Sequence, residues 1–215
     1  MSLIVSSTGN SSFEPVPAGS HLARCVQIID LGTQTWEYQG DPKIGGKVML
    51  TFELPNVTYE KDGVAQARMI SREFTASFGE KSNLRKMLES WRGRTFTPDE
   101  VKAFDISKLA GAPCMLSVIH STKGDKTFAN INGIIQVPTG VTVPERVHPT
   151  IIYDIADLDK SEVFGQIPEW IQNKIKESEE FKNHGVSKAV DGAGTLAAQA
   201  EAAVAGIEDS SGLPF

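Results

Sequence analysis

The chain has 215 residues, enough for one domain of roughly 100–150 residues with extensions or for two small domains. Hydrophobic residues make up 40% of it and charged residues 22%, so part of the chain can bury a core, and no apolar run has the length of a membrane-spanning helix. The two cysteines lie in no CxxC or Cys/His spacing, which argues against a disulfide scaffold or a structural zinc site and favours a reducing cytoplasm. The N-terminal segment lacks the basic and apolar regions of a secretory signal.

The net charge of -6 is unevenly distributed. Residues 21–137 carry 15 Lys and Arg against 13 Asp and Glu, whereas residues 138–215 carry 6 against 13. A weakly basic body is therefore joined to an acidic C-terminal region, so the overall charge does not argue against a nucleic-acid partner for the body.

Five β-strands are predicted in the body of the chain. In the second run, apolar side chains alternate with polar ones from Val48 to Leu54, which predicts a strand buried on one face only. The connection 33–46 is polar and rich in glycine, and it is expected to be a loop. The five runs are 22–31, 47–54, 67–78, 113–120 and 127–137.

Two helices are predicted between the third and fourth strands. Apolar residues recur at helical spacing from Leu84 to Trp91, which predicts a helix over 80–91. A second, short helix is expected over 98–104, with Thr97 as N-cap and Pro98 at its first position. This order of elements predicts a mainly β fold, a five-stranded OB-fold barrel with a helix between strands 3 and 4.

Prolines punctuate the chain after residue 137, so residues 137–155 are expected to run as extended chain across the barrel surface. Residues 168–181 predict a helix with Trp170, Ile171, Ile175 and Ser178 on one stripe. From residue 187 onward, small residues dominate, which indicates a disordered tail. The predicted division is a flexible arm (1–12), an OB-fold domain (13–150), an extended segment and helix packed on the barrel (151–186) and a disordered acidic tail with a hydrophobic tip (187–215).

No catalytic constellation emerges from the sequence. The glycine spacing of residues 40–48 is wrong for a phosphate loop, and the four histidines lack ligand spacing. Asp154, Asp157 and Asp159 are not followed by the rest of a calcium loop, which favours a solvated acidic loop. Cys25 and Cys114 lie inside predicted strands, where buried thiols are expected. We expect no enzymatic activity, no cofactor and no metal.

Side chains suited to single-stranded nucleic acid lie in the loops and strands of the predicted barrel. Such binding needs positive charge for the phosphates and flat side chains on which bases stack. OB barrels bind along strands 2 and 3 and between their first and last loops. The candidates are Trp36, Tyr38, Lys43, Lys47, Tyr59, Lys61, Arg68, Arg72, Lys123, Lys126 and Phe128.

Several candidates have a structural alternative. Trp36 is either a base-stacking residue or a cap over a barrel end, and the direction of Arg72 stays open because it lies in phase between Ile70 and Phe74. Phe74, like Phe52, shares a face with aliphatic residues and is expected in the core. A basic cluster on the predicted first helix is either the solvated face of an amphipathic helix or a phosphate-binding patch, and its members are Lys81, Arg85, Lys86, Arg92 and Arg94.

Several blocks of the chain resemble a group of bacteriophage single-stranded DNA-binding proteins with OB folds. The blocks are LARCVQIIDLGTQ (22–34), KVMLTFELP (47–55), EKSNLRKMLESWRGRTFT (80–97) and KTFANINGIIQVP (126–138). SEVFGQIPEWIQNKIKES (161–178) resembles the helix that follows the barrel in that group. The resemblance covers about residues 13–181 and implies binding of displaced single strands during phage replication or recombination, in the cytoplasm of a bacterial host.

The C-terminal segment resembles the acidic tails of bacterial and phage single-strand binders, which end in a hydrophobic tip. A departure is the insertion of Ser210-Ser211-Gly212 between the acidic residues and the tip. The resemblance implies that the tip docks in a small apolar pocket, rimmed by Lys or Arg, on a replication or recombination protein. The tail residues concerned are Glu208, Asp209, Leu213, Pro214 and Phe215.

The expected function is therefore sequence-independent binding and protection of single-stranded DNA, with partner recruitment by the tail. The alternative is an OB-fold protein–protein adaptor of a replication or recombination complex, with little DNA affinity of its own. The nearly neutral charge of the barrel favours this alternative. The oligomeric state stays open.

Overall fold

A computed structural model describes residues 14–158 and 161–184 of the chain. The predicted arm (1–12) and tail (187–215) lie outside these residues. The strands are β1 (Gly19–Tyr38), β2 (Asp41–Lys61), β3 (Val64–Thr75), β4 (Pro113–Lys123), β5 (Lys126–Ile135) and β6 (Ile151–Tyr153). The α-helices are α1 (Asn83–Arg92), α2 (Pro98–Lys102), α3 (Ser161–Gln166) and α4 (Glu169–Lys176), with short 3-10 turns at Ile106–Leu109 and Ile155–Asp157 and a last helical segment over 179–184.

Five antiparallel strands form a nearly closed barrel in the order β3-β2-β1-β4-β5, and β6 pairs with β1. The first and last strands of this order, β3 and β5, lie close to each other. Arg72 of β3 donates a 2.6 Å hydrogen bond from Nη1 to the carbonyl oxygen of Ile131 in β5. With α1 between β3 and β4, the arrangement confirms the predicted OB-like barrel.

The prediction that residues 33–46 form a loop is wrong. These residues extend β1 and β2 into a long hairpin. Only Gln39 and Gly40 separate the two strands, and both have positive φ (55° and 84°), as a type I′ turn requires. Pro55 likewise does not end β2, which continues to a second tight turn at Asp62-Gly63. Polar and glycine-rich composition is compatible with an exposed two-stranded ribbon, so composition alone misplaces such a turn.

The described chain divides into two compact units. The first comprises residues 14–28 and 49–152, and the second comprises residues 29–48 together with 153–158 and 161–184. The outer part of the β1–β2 hairpin, which the sequence analysis assigns to the barrel, thus falls in the unit that holds the C-terminal helices. Among the described residues, no helix is long and apolar enough to span a membrane.

The core of the first unit contains the strand residues that alternation predicts, including Phe52 and Phe74. Both cysteines are free and buried, as expected, and burial raises the pKa of the Cys25 thiol to about 12. The prediction that β2 is buried on one face only is wrong, since every residue from Val48 to Leu54 is buried.

Burial of the second face of β2 involves the segment 138–150, here called the strap. Glu53 of β2 is fully buried, and its carboxylate accepts 2.7 Å hydrogen bonds from the backbone N–H groups of Val147 and His148 and a 2.6 Å bond from Nδ1 of His148. Arg24 of β1 holds the strap upstream, because its Nε donates to the carbonyl oxygen of Pro144 at 2.7 Å. None of the strap residues is itself buried, so polar contacts rather than apolar burial hold this segment.

The helices that follow β3 confirm the local signals. Ser82 caps α1, Gly93 ends it in the left-handed conformation, and its apolar residues from Leu84 to Trp91 are buried. At α2, the side chain of Thr97 accepts a hydrogen bond from the backbone of Glu100, whose side chain accepts one in return, so the predicted N-cap belongs to a full capping box.

The predicted stripe of the C-terminal helix is partly wrong. Ile171, Ile175 and Ser178 are buried as expected, but 52% of Trp170 is exposed. Ile167, which precedes α4 and lies four residues before Ile171, is buried instead. Trp170 lies one position, or about 100°, away from Ile171 on the helix surface.

Replacing Glu53 by Ala should destabilise the protein by about 1.5–3 kcal/mol, because it removes the charged acceptor of two backbone N–H groups and of the His148 ring. His148→Ala should cost less, since Glu53 then keeps both backbone donors. Urea unfolding measures both free energies, with exposed Glu145 on the same strap as the Ala control. A loss below about 1 kcal/mol for Glu53→Ala would show that the strap is not held by this carboxylate.

Candidate nucleic-acid interface

In the first unit, the β4–β5 hairpin presents one exposed face with two cations, an aromatic ring and an amide group. Residues directly opposite in an antiparallel pair lie on the same face, as do alternate residues along one strand. The register pairs Lys123 with Lys126, Ser121 with Phe128 and Ile119 with Asn130, so these six side chains share a face, called here the β4–β5 face. All six are exposed.

The two lysines of the β4–β5 face stand directly opposite each other beside the turn. Like charges in this position destabilise a hairpin, by up to about 1 kcal/mol. Within the described part of the chain, neither ammonium group forms an ion pair that would offset the repulsion. The pair is therefore better suited to holding an anion than to stabilising the hairpin.

Phe128 lies two residues from Lys126 on the same face, and 47% of its surface is exposed. Beside it, Asn130 donates a 2.8 Å hydrogen bond from Nδ2 to Oγ of Ser121. An exposed ring next to two cations is the combination that binds stacked bases and phosphates. Sequence reasoning named Lys123, Lys126 and Phe128 but missed Ser121 and Asn130, although the period of two along both strands was a signal for them.

In the second unit, the end of the β1–β2 hairpin carries the other aromatic candidates. Nζ of Lys47 lies 3.6 Å from the centroid of the Trp36 ring, so one face of the half-buried ring carries a cation. Tyr38, two residues along the same face of β1, is 58% exposed. Lys43 is exposed, and its Nζ lies 4.0 Å from a carboxylate oxygen of Asp41. The structure thus brings Trp36 and Lys47 into contact.

The candidates on β2 and β3 are differently placed. Arg68 is buried; its guanidinium bonds the carbonyl oxygen of Glu14, lies 3.7 Å from the Glu14 carboxylate and sits over the ring of Tyr59. Arg72 points toward β5, as described above, and its burial lowers its pKa. Lys61, next to the Asp62-Gly63 turn, is exposed. Both arginines therefore hold barrel segments together.

The arginines of the predicted phosphate patch on α1 are bound to carboxylates. Nε of Arg85 lies 3.0 Å from Oε1 of Glu89, one turn along the helix. Both Arg92 and Arg94 donate to the carboxylate of Glu100, at 2.6 Å and 2.8 Å. These contacts neutralise much of the positive charge that the sequence suggested.

The carboxylate of Glu100 is the centre of this network. Hydrogen bonds from Arg94 and Arg92, and from the backbone of Thr97, hold its pKa far below the usual value of 4.5. Because its pKa is lowered, the Glu100 carboxylate is ionised at neutral pH, and its contacts weaken as the pH falls through that lowered pKa. The patch lysines, Lys81 and Lys86, are exposed.

A cleft of about 350 Å³ lies beside the end of α1, lined by Trp91, Leu109, Pro113 and Val137 among others. Its charged lining residue, Arg92, is paired with Glu100, so the cleft does not add a cation to the candidate interface. Among the described residues, no group of His, Cys, Asp or Glu has the geometry to hold a metal ion. The predicted tail contacts lie outside the described residues.

The sequence matches no protein-family model and shows no significant similarity to any curated protein. The resemblance to phage single-strand binders therefore stays a prediction, and the barrel and its exposed faces carry the functional argument.

Replacing Glu100 by Gln should raise affinity for single-stranded oligonucleotides at low salt, because it releases Arg92 and Arg94 for phosphates. Gln preserves the capping box. The slope of log K against log salt should steepen by about 0.7 for each phosphate gained. Asp99→Asn is the matched control, since it makes the same charge change but breaks only the exposed contact with Lys102. Equal gains in the two variants would mean that net charge, not the patch, is responsible.

Proposed function

We propose that the protein binds and protects single-stranded DNA without sequence preference. The observation that carries this proposal is the β4–β5 face, where Lys123 and Lys126 are opposed beside exposed Phe128. A phosphate between the two ammonium groups would remove their repulsion, and a base could stack on the ring. Stacking and charge are tolerant of base identity, which supports binding without sequence preference.

The β1–β2 hairpin supports the same function with a second set of side chains. Trp36, Tyr38 and Lys47 combine a cation with two rings on the outer part of a ribbon. The cation–π contact between Lys47 and Trp36 is worth about 0.5–1 kcal/mol at an exposed site, so a base of higher stacking energy can displace it.

A second candidate function is a protein–protein adaptor with little DNA affinity. It is favoured by the contacts of the arginines, since Arg68 and Arg72 bind backbone carbonyls and the arginines of the predicted phosphate patch bind carboxylates. Binding to oligonucleotides in a direct titration distinguishes the two functions, because an adaptor has no reason to prefer single strands.

The biological setting of the proposal rests on the resemblance described above. It is the replication or recombination of phage DNA in the cytoplasm of a bacterial host. The tail would recruit replication or recombination proteins through its hydrophobic tip, Leu213-Pro214-Phe215.

Titration with fluorescent oligonucleotides should show binding to single strands of unrelated sequence, weaker binding to duplexes, and a slope of log K against log salt of about -3, as expected for about four neutralised phosphates. Lys126→Gln should reduce that slope by about 0.7 while raising hairpin stability, because the opposed charges are removed. Phe128→Ala should lose about 1–3 kcal/mol of binding with an unchanged salt slope.

Lys102→Gln is the charge-matched control for Lys126→Gln, since Lys102 lies on α2 and pairs with Asp99. A slope near zero for the unmodified protein, or tight preference for one oligonucleotide, would contradict sequence-independent binding. Loss of affinity in Lys102→Gln equal to that in Lys126→Gln would show that the β4–β5 face has no special role.

Phe215→Ala should abolish recruitment of a replication or recombination protein while leaving DNA affinity unchanged, because it removes an apolar anchor and keeps every charge. Capture from phage-infected host extract, followed by mass spectrometry and a direct binding assay with each captured protein, measures the effect. Ser211→Ala, in the same tail, is the control. Undiminished capture by Phe215→Ala would mean that the tip is not the docking element.

A further inference from the structure

Within the second unit, the C-terminal helical segment forms hydrogen bonds with β1 a few residues before Trp36. The carboxylate of Glu180 accepts a 2.7 Å hydrogen bond from the backbone N–H of Thr33 and a 2.6 Å bond from its hydroxyl. Nε2 of Gln34 donates to the carbonyl oxygen of Lys174 in α4 at 2.9 Å. Two consecutive residues of β1 are thus fixed by two separate points of the C-terminal segment.

The fit at this contact is close. A Cβ atom at Gly32 would lie 2.6 Å from Oε2 of Glu180 and 2.8 Å from Cβ of Ser178, and its φ of +69° disfavours other residues. Ser178 is fully buried, and its Oγ accepts a hydrogen bond from the backbone N–H of Phe181 at 3.2 Å, at the start of the last helical segment. Glu180 is therefore held in place by its own segment and by β1 together.

The two contacts hold β1 from both of its faces. Glu180 binds the hydroxyl of Thr33 on one face, whereas Gln34 lies on the other face with the aromatic candidates. Gln34, Trp36 and Tyr38 alternate along β1 and so share one face. A two-stranded ribbon is marginally stable by itself in water, so the orientation of its rings depends on what fixes its base. In this unit the C-terminal segment supplies that support.

We infer that Glu180 is a positioning residue for nucleic-acid binding, which orients the Trp36 face of the β1–β2 hairpin by holding Thr33. The inference rests on the proposed function and extends it, since it makes the C-terminal helical segment part of the binding site. Glu180 acts through β1 and does not itself contact nucleic acid.

Thr33→Val removes the hydroxyl that donates to Glu180, and Glu180→Gln replaces its charged acceptor by a neutral amide that forms weaker hydrogen bonds. Both should weaken binding to a single-stranded oligonucleotide about 5- to 10-fold, in line with the loss of a hydrogen bond to a charged group. Removing a negative charge should by itself strengthen DNA binding, so weakening by Glu180→Gln runs against its electrostatic effect. Glu179→Gln, the same change at the exposed neighbouring residue, should not weaken binding.

A double-mutant cycle with Trp36→Ala tests the route of the effect. In the Trp36→Ala background, Glu180→Gln should change affinity less than about twofold, because the ring it positions is gone. Circular dichroism and urea unfolding of each variant show whether it is folded, and affinity is counted per folded molecule. The inference would be overturned if Glu180→Gln weakened binding no more than Glu179→Gln does. It would also be overturned if Glu180→Gln weakened binding to the same extent in the Trp36→Ala background. Absence of oligonucleotide binding by the unmodified protein would instead overturn the proposed function.

Discussion

The buried carboxylate of Glu53 is the constraint on which the first unit depends. A charge removed from water must have its acceptor sites filled, and here the backbone and ring of the strap fill them. The strap in turn contacts β2 on the face where the alternation of the sequence places polar residues. Because the strap has no buried residue of its own, its position depends on Glu53 and on the contacts of Arg24. A carboxylate that sequence patterning assigns to solvent thus fixes the course of residues 138–150.

Among the described residues, the arginines and the lysines of the candidate site make different kinds of contact. A planar guanidinium donates several hydrogen bonds in fixed directions, which suits carbonyl and carboxylate partners, whereas an ammonium group is a compact, strongly hydrated charge. Arginines accordingly join structural segments, as Arg72 does between β3 and β5 and Arg92 does at Glu100. Lys123 and Lys126, by contrast, are exposed and form no ion pair with any described residue. The barrel is thus nearly neutral overall, although several of its arginines are bound by partners while Lys123 and Lys126 are exposed.

Local signals predicted the fold where local interactions decide it, and failed where tertiary contacts decide it. The capping box of α2, the buried stripe of α1 and the β4–β5 hairpin all depend on neighbours close in sequence, and each is present. Burial of Glu53 requires a strap almost a hundred residues away, which no local pattern contains. In the candidate site, sequence supplied the residue types, but only register shows that Lys123 opposes Lys126, and only distances show that Arg68 is bound by Glu14.

Both candidate faces lie close to turns of two residues, and this links turn chemistry to function. The type I′ turn at Gln39-Gly40 and the turn after Lys123, where Gly124 has φ of 61°, fix the register of their strands. A slip of one residue in β5 would move Phe128 and Lys126 to the opposite face of the hairpin, away from Lys123. The opposed lysines weaken this hairpin, so its register depends on the tight turn and on buried pairs further along the strands, such as Leu116 with Ile134. The strand register therefore keeps two exposed ammonium groups opposite each other, and this arrangement is the one on which the proposed function rests.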